Sequence, residues 1–399
     1  MNNPLLNDPQ PDNPLPTDPG PGHQPLPSTP SAHPHPDLPV PHPSGLIPAD
    51  QADKLRSFSA DAESSGSLHP GQLAIIDEQR WFNLYVPRSH GGLELSLPEG
   101  LRMEEALAWT DGSLGWTVTL CSGANWFIGF LQPEIAKDLF SDRRSCFAGS
   151  GRASGIARIT ATGYEVTGRW KYASGAPHAT AFTANCLLEK DGALLQNEDG
   201  SPMMRAFLFL KDEVIVHKDW NAMGMIATAS HSFEVRQQQV GRDRCFTIDS
   251  HHSFLPQPIY RYPFLQLAET TLAVNSAGMA AHFIDLCEGI FARRSDHAGN
   301  KPRMGAATAR LAEAKIVLQY LRQSFYRAVR SSWEECEKGN SLQEPLLQAV
   351  SRSSRALALE ARRLVDELYP WCGLTAADRN TEINRVWRDL HTASQHSLL

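Results

Sequence analysis

The chain has 399 residues, a formal net charge of −7 and a pI near 6.1, which argues against nucleic acid as a partner because such proteins usually present a basic face. Its seven cysteines form no CxxC pair, no apolar run approaches the ~20 residues of a membrane span, and the N-terminus lacks a charged segment before an apolar one. We therefore expect a cytoplasmic protein with no signal peptide, no membrane partner, no zinc-type metal site and room for two or three domains.

Residues 1–45 form a proline-rich tail. Fifteen of the 28 prolines fall before position 45, between polar residues and with almost no apolar side chains. Such a segment cannot bury enough apolar surface to offset its ordering entropy, so we predict disorder with a polyproline II bias.

Helical periodicity dominates residues 46–143, where Pro70, Pro98 and Asp111 stand at positions typical of helix N-termini. This region is predicted to be an α-helical domain, with helices at Gln51–Ser65, Gly71–Trp81, Leu97–Trp109, Asp111–Phe130 and Pro133–Phe140.

Short runs of strand character replace the helical pattern over residues 144–254. They are separated by Gly, Pro and Asp, which favours a compact barrel or sandwich. A glycine- and serine-rich loop is expected at Gly149–Gly155, before a hairpin, and a polar loop at Lys190–Pro202. The predicted strands are Ser145–Ala148, Ile156–Thr160, Tyr164–Trp170, Thr180–Leu188, Ala206–Leu210, Val214–Lys218, Ser232–Val235 and Phe246–Ile248.

Residues 255–399 return to helical periodicity, and the long helices with short links predict a four-helix bundle. On the second helix, Arg322 is expected to lie on a solvated face. The fold class is therefore α+β, in the order helical domain, β domain, helical bundle. The predicted helices are Leu265–Ala292, Ala306–Gly339, Pro345–Leu368 and Thr381–Leu398.

Local motifs in this order resemble those of the acyl-CoA dehydrogenase fold superfamily, and most closely those of the class D, reduced-flavin-dependent monooxygenases. The similarity extends from about Pro48 to Leu399. The motifs are Pro87-x-x-x-Gly91-Gly92, Asp111-Gly112-Ser113-Leu114-Gly115-Trp116, Gly168-Arg169-Trp170-Lys171-Tyr172-Ala173-Ser174-Gly175, Trp220-x-x-x-Gly224-Met225-x-x-Thr228-x-Ser230 and Arg388-Asp389-x-x-x-x-Ser394-x-His396.

The resemblance implies the oxygenase component of a two-component system. Such a protein takes reduced FMN or FAD from a separate flavin reductase and uses O2 to oxygenate a small aromatic or heteroatom-containing molecule. The family's bundle is usually shared between subunits, so the resemblance also implies a homotetramer.

The resemblance further implies roles for individual residues. His391, His396, Ser150 and Ser174 are the expected catalytic residues. Because His391 and His396 are five residues apart, at most one of them is expected to face the site. The expected flavin-binding residues are Tyr172, Ser174, Gly175, Ser150, Arg293 and Arg294, and the expected substrate-binding residues are Trp116, Asn125 and Ser122.

Two departures from the family pattern leave alternatives open. The histidine that many class D monooxygenases carry beyond the second motif is absent around Ser122 and Asn125, and the segment after Arg294 lacks the family's Phe-Gly. An acyl-CoA dehydrogenase is the first alternative, although Glu269 is one residue out of register for its catalytic base. A flavin-less scaffold of the same fold is the second.

Overall fold

A computed structural model describes residues 39–295 and 301–399. The predicted tail therefore lies outside the described residues up to position 38. From Pro39 onward the chain is packed against the rest of the molecule. Val40 is buried and its carbonyl oxygen accepts a hydrogen bond from the side chain of Gln319 (2.9 Å), and Pro43 is buried in a short 3₁₀ helix. The last seven residues of the predicted tail, 39–45, are therefore described, and they pack against the helices instead of forming a free tail.

The N-terminal region is helical, as predicted, and its helices begin within two residues of the predicted starts. Ser96 and Glu99 form a capping box before a helix with Pro98 in its first turn, and the Asp111 carboxylate accepts the N–H of Leu114 (2.8 Å). The single helix predicted over Gln51–Ser65 is two helices that meet at Phe58. The helices are α1 (Ala49–Ser57), α2 (Ser59–Ser65), α3 (Pro70–Gln79), α4 (Leu97–Thr110), α5 (Gly112–Asn125) and α6 (Pro133–Leu139).

The central region is one sheet of eight strands. The order is β6-β7-β2-β1-β3-β5-β8, with β4 paired to β3, and only β1 and β3 run parallel. The strands are β1 (Phe147–Ile159), β2 (Gly163–Ala173), β3 (Ala181–Lys190), β4 (Ala193–Leu194), β5 (Met204–Leu210), β6 (Ile215–His217), β7 (His231–Gly241) and β8 (Cys245–Phe246).

The glycine-rich stretch predicted as a loop lies inside β1 instead. Pairing with β3 shifts register between Ser150 and Gly155, so the intervening residues bulge out of the ladder. Gly149 is required beside this bulge, because a Cβ there would lie 2.3 Å from the Thr183 hydroxyl oxygen. The two predicted runs Ser145–Ala148 and Ile156–Thr160 therefore belong to a single bulged strand.

The sheet curls around its own hydrophobic core. Two strands separate β2 from β5, which in a flat sheet would place them roughly 14 Å apart. Yet the rings of Tyr164 on β2 and Phe207 on β5 are 5.0 Å apart, and those of Phe182 and Phe233 are 4.9 Å apart. These contacts require a strongly curved sheet, which is how the β region encloses a core without a second sheet.

The C-terminal region is helical, as predicted, although its last long helix ends at Ala393 rather than Leu398. Arg322 is 2% exposed rather than solvated, because its guanidinium pairs with the fully buried Glu105 of α4 (2.5 Å). Pro370 lies inside the third helix, beyond its predicted end. The helices are α7 (Phe264–Ser295), α8 (Lys301–Glu337), α9 (Glu344–Cys372), α10 (Leu374–Ala377) and α11 (Glu382–Ala393).

Within residues 39–295 and 301–399, none of the helices has both the length and the apolar character needed to cross a membrane. The same residues contain no cluster of three or more His, Cys, Asp or Glu side chains able to hold a metal ion.

Candidate active site

A cavity of about 240 Å³ lies where the β-sheet meets α5, α7 and the segment after α11. Its wall is mostly apolar, and His396 is the one titratable side chain among the described residues that line it. The remaining polar side chains are neutral. They are Thr119, Ser150, Ser174, Thr183, Asn185 and Thr271.

Ser174 reaches the cavity from the turn after β2. Its Oγ accepts a hydrogen bond from the Trp116 indole N–H (3.2 Å) and lies 2.8 Å from the Ser230 Oγ. The next residue is held as well, since the Gly175 N–H donates to the Thr228 carbonyl oxygen (2.8 Å). Two segments far apart in sequence therefore fix the position of the Ser174 hydroxyl.

The backbone around this turn is strained. Tyr172 has φ +69°, and on the facing loop Met225 and Ala229 have φ +54° and +46°. Non-glycine residues rarely adopt such values, and they occur preferentially at functional sites. Gly175 also has positive φ (+76°), and a Cβ there would lie 2.7 Å from the Cys121 sulfur. The backbone therefore has unusual, positive φ values at Tyr172 and Gly175, on either side of Ser174 in the chain, and in the loop that faces them.

Ser150 lines the same cavity from the β1 bulge. The side-chain amide of Asn185 donates to the Gly151 carbonyl oxygen (2.8 Å), which ties the bulge to β3. The predicted catalytic serines, Ser150 and Ser174, are therefore brought together at one cavity.

His396 reaches the cavity from the segment that follows α11. Its ring lies 6.0 Å from the Trp116 ring, and burial lowers the pKa of the imidazole. Its Nδ1 accepts the backbone N–H of Leu398 (3.3 Å), so the proton of the neutral ring is on Nε2. His396 is therefore a neutral hydrogen-bond donor at this wall.

His391 does not reach the cavity. Its Nε2 lies 2.8 Å from a carboxylate oxygen of Asp366 on α9, and its ring packs against Trp387 (4.2 Å). Of the two predicted histidines, the structure thus brings only His396 to the site.

Asn125 and Ser122, predicted to bind substrate, lie behind the cavity wall. The Asn125 amide donates to the Ser145 carbonyl oxygen (2.8 Å) and accepts the Phe147 N–H (2.8 Å), which joins α5 to the start of β1. Ser122 donates to the carboxyl group of Glu104 (3.3 Å), whose pKa is raised well above its usual range by complete burial. In the contacts that the structure describes, Asn125 and Ser122 hold α5 against its neighbours and do not face the cavity.

Arg293 and Arg294, predicted to hold flavin phosphate, lie at the end of α7 away from the cavity. Arg294 donates to the carbonyl oxygens of Trp371 (3.1 Å) and Cys372 (2.6 Å) and to the Thr375 hydroxyl (2.9 Å). These bonds cap the C-terminus of α9. Arg293 is exposed.

The remaining predicted residues border the cavity region without lining it. Tyr172 is 59% exposed, with its ring 6.1 Å from that of Trp220. Trp116 is 8% exposed and connects Ser174 with His396. Trp116 therefore lies next to the cavity, as predicted, but it contacts two site residues and does not line the cavity itself.

The sequence prediction missed several site residues. Thr228 and Ser230 stood within a recognised motif, which was a usable signal, but they were not assigned a role. Thr119, Thr271 and Asn185 had no such signal, because a hydroxyl or amide within an apolar helix or strand is usually explained by packing.

The comparisons with known proteins agree with this architecture. Residues 270–399 match the family "Acyl-CoA dehydrogenase, C-terminal domain". Indole-3-acetate monooxygenase of Pseudomonas putida is 24% identical over 330 residues, covering 82% of this chain and 83% of the relative. The oxygenase subunit HsaA of a flavin-dependent monooxygenase from Mycobacterium tuberculosis is 23% identical over 365 residues, covering 86% of this chain and 88% of the relative.

Solved structures extend the agreement to three dimensions. The 3-HSA hydroxylase of Rhodococcus sp. RHA1 superposes with a TM-score of 0.81 at 21% identity, covering 88% of this chain and 91% of the other. XiaF from Streptomyces sp., in complex with FADH2 and glycerol, has a TM-score of 0.75 at 19% identity and covers 88% and 89%. The chain thus has the acyl-CoA dehydrogenase-like fold, and the relatives and neighbours that resemble it here are monooxygenases and hydroxylases.

Proposed function

We propose that this chain of acyl-CoA dehydrogenase-like fold is the oxygenase component of a two-component flavin-dependent monooxygenase, acting on a small aromatic or heteroatom-containing substrate. One observation carries the proposal: Ser174, Ser150 and a neutral His396 meet at a single, largely apolar cavity. The relatives and structural neighbours named above support the same activity, and one neighbour holds reduced FAD.

The described residues fit a flat flavin ring. The Ser174 and Ser150 side chains stand at a cavity wall that is otherwise largely apolar, which suits a flat ring with a few polar atoms. When bound, reduced FMN or FAD supplies the electrons that activate O2. Ser174 and Ser150 are the residues proposed to hold its ring. The apolar wall excludes water from that ring.

His396 is proposed to donate a hydrogen bond to an oxygen atom in the cavity. Its Nδ1 is occupied by the Leu398 N–H, so Nε2 carries the proton and serves as the donor. Burial lowers the pKa of His396, which keeps the ring neutral at pH 7. The geometry supports this donor role better than the removal of a proton from substrate.

The cavity wall also limits the substrate. No charged side chain belongs to the described residues that line it, so a carboxylate or ammonium group would be desolvated without a counterion. Phe127 and Phe264 supply aromatic surface, and Ala124 and Ala268 leave space beside it. We therefore propose an uncharged aromatic substrate.

The dehydrogenase alternative needs a carboxylate base at the substrate. The described cavity wall contains none. Glu269 is fully buried on α7, where it pairs with Arg355 (2.6 Å) and accepts a hydrogen bond from Ser351. This carboxylate is engaged in packing α7 against α9, so the oxygenase is favoured.

A reductase must supply the reduced flavin, and its contact with this chain is proposed to be transient. We also propose a homotetramer, because large apolar side chains on the later helices are exposed. Ile316 is 71%, Tyr320 68% and Leu359 59% exposed. A cytoplasmic location is proposed because all seven cysteines are free thiols.

Reconstitution with chemically reduced FMN or FAD, ¹⁸O₂ and a panel of uncharged phenols, indoles and thioethers tests the activity. We expect one ¹⁸O atom in the product and hydrogen peroxide as the side product. Loss of oxidised-flavin colour on adding an acyl-CoA would instead indicate a dehydrogenase, and failure to bind either flavin would indicate a scaffold.

A matched histidine pair makes this test specific. His396→Phe should lower product formation by roughly 100-fold, the usual effect of removing a positioned hydrogen-bond donor from an active site. His391→Phe, a few residues away but outside the cavity, should retain most of the activity. Equal losses in both variants would contradict the proposed site.

A further inference from the structure

The helices that line the cavity contribute two polar side chains among the described residues, Thr119 of α5 and Thr271 of α7. The other residues of α5 and α7 at this wall are apolar or glycine. The Thr271 hydroxyl donates to the carbonyl oxygen of Ala268 (3.0 Å) within its own helix. Its proton is therefore already used and is not offered to a ligand.

Thr119 differs from a typical helical threonine. Inside a helix, a threonine hydroxyl commonly donates to the carbonyl oxygen four residues earlier, as Thr117 donates to Ser113 (2.8 Å). The corresponding partner of Thr119 would be Gly115, and the structure shows no such bond between these two residues. The Thr119 oxygen instead accepts a hydrogen bond from the side-chain amide of Asn275 on α7 (2.8 Å).

Asn275 fixes the direction of this bond. Its Nδ2 also donates to the Thr271 carbonyl oxygen (2.9 Å), and Asn275 is fully buried. A carbonyl oxygen only accepts, so the amide must present its N–H group on this side and not its oxygen. Thr119 is therefore the acceptor in its bond with Asn275, and its own hydroxyl proton remains free.

The free proton of Thr119 needs an acceptor from a ligand. Thr119 is 2% exposed, and its hydroxyl donates to none of the described residues. A buried donor without an acceptor is unfavourable. Because Thr119 lines the cavity, a molecule bound there can supply the missing acceptor.

Space for an aromatic ring lies on the same face of α5. Gly123 follows Thr119 by four residues, about one helical turn, and also lines the cavity. A Cβ added at Gly123 would meet no atom within 4 Å. A ring that occupies this space can therefore bring a polar substituent to the Thr119 hydroxyl.

We propose that Thr119 determines substrate specificity by donating a hydrogen bond to the substrate, and that Asn275 is its positioning residue. The inference rests on the proposed function. It narrows the substrate to uncharged aromatic molecules that carry a hydrogen-bond acceptor, such as a phenol or an aryl ketone. A pure hydrocarbon of the same shape would leave the Thr119 proton unpaired, and a site built for a hydrogen bond rejects such an analogue.

Acetophenone and α-methylstyrene are a matched pair of probes for this donor. Both are flat and have nearly the same shape, and only acetophenone carries an acceptor oxygen. Thr119→Val preserves the shape of the side chain and removes the hydroxyl. Acetophenone should then bind roughly tenfold more weakly, whereas α-methylstyrene should bind as it does to the wild type.

Three further variants separate the hydrogen bond from packing. Thr119→Ser keeps the hydroxyl and should keep the preference for acetophenone. Asn275→Leu should lower that preference, because the Thr119 hydroxyl can then turn to the Gly115 carbonyl oxygen, whereas a merely structural role would weaken both probes alike. Thr270→Val is the matched control. It removes a fully buried hydroxyl of α7 that donates to the Gln266 carbonyl oxygen (2.8 Å), and it should leave both affinities unchanged.

Anaerobic calorimetric titration of the protein saturated with reduced FMN gives the dissociation constant of each probe. The proposal predicts a lower preference for acetophenone in Thr119→Val and Asn275→Leu, and the wild-type preference in Thr119→Ser. Equal changes for both probes in Thr119→Val, or the same loss in Thr119→Ser, would overturn this inference while flavin binding still supported the oxygenase. A wild-type protein that binds neither FMN nor FAD would overturn the proposed function together with the inference.

Discussion

Gly224→Ala is predicted to disrupt the contact between α11 and the loop that carries Thr228 and Ser230. A Cβ at Gly224 would lie 2.1 Å from the carbonyl oxygen of Arg388, a backbone atom that cannot move aside as a flexible side chain would. The helix and the loop must therefore separate.

The expected cost follows from the overpacking and from the hydrogen bonds that this separation weakens. Overpacking costs about 1–3 kcal/mol, and two bonds are weakened at roughly 1 kcal/mol each. These are the Gly224 N–H to the Thr392 hydroxyl (3.0 Å) and the Met225 N–H to the Asp389 carboxyl group (2.5 Å). We expect the free energy of unfolding to fall by about 3–5 kcal/mol, and flavin affinity to fall because displacement of Ser230 removes a partner that holds the Ser174 hydroxyl at the cavity.

Urea unfolding followed by tryptophan fluorescence measures the first effect, and FMN titration the second. Gly305→Ala is the matched control, because no atom lies within 4 Å of its added Cβ and alanine favours the helical conformation of α8. It should stabilise the protein by about 0.5–1 kcal/mol. Wild-type stability in Gly224→Ala would refute the account of this contact.

Three further predictions concern buried polar groups. Burial, with repulsion from Asp111, raises the pKa of Asp389 to about 7, so ionisation disfavours the folded state and its stability should fall as pH rises from about 4 to 7. The free energy of unfolding of Asp389→Asn should equal that of the wild type near pH 4. Between about pH 4 and 7, the variant should become more stable than the wild type by up to about 1.4 kcal/mol for each pH unit. Urea titrations at several pH values measure this difference. Asn125→Ala should lower the free energy of unfolding by about 3 kcal/mol without changing relative turnover across the substrate panel, whereas altered substrate preference would restore a substrate-binding role. Arg322→Met should destabilise by about 3 kcal/mol in the same unfolding assay, because it leaves the buried Glu105 without its closest partner, and a neutral result would contradict the importance of that pair.

Signals that act over a few residues allowed much of the fold to be predicted. Pro70, Pro98 and Asp111 marked helix starts because the end of a helix leaves N–H groups that nearby residues satisfy. Motif order indicated Ser174 and His396, and the structure brings both to one cavity.

Contacts between distant residues could not be predicted in this way. From the sequence alone, Arg322 is predicted to lie on the surface. Its partner Glu105 is 217 positions earlier in the chain and lies beside it only in the folded protein. Asn125 was predicted to bind substrate because its structural role is not visible in the sequence. Its partners Ser145 and Phe147 contact it only when α5 packs against the start of β1. The bulge after Gly149 is set by pairing with β3, which local glycine content does not reveal.

A crystal structure of the protein with reduced FMN, prepared without oxygen, tests the central claim most directly. We predict the flavin ring in the cavity, within hydrogen-bond distance (about 3.5 Å) of the Ser174 oxygen, and His396 at the same cavity wall. A flavin bound elsewhere, or a flavin ring out of reach of Ser174, would contradict the proposed site.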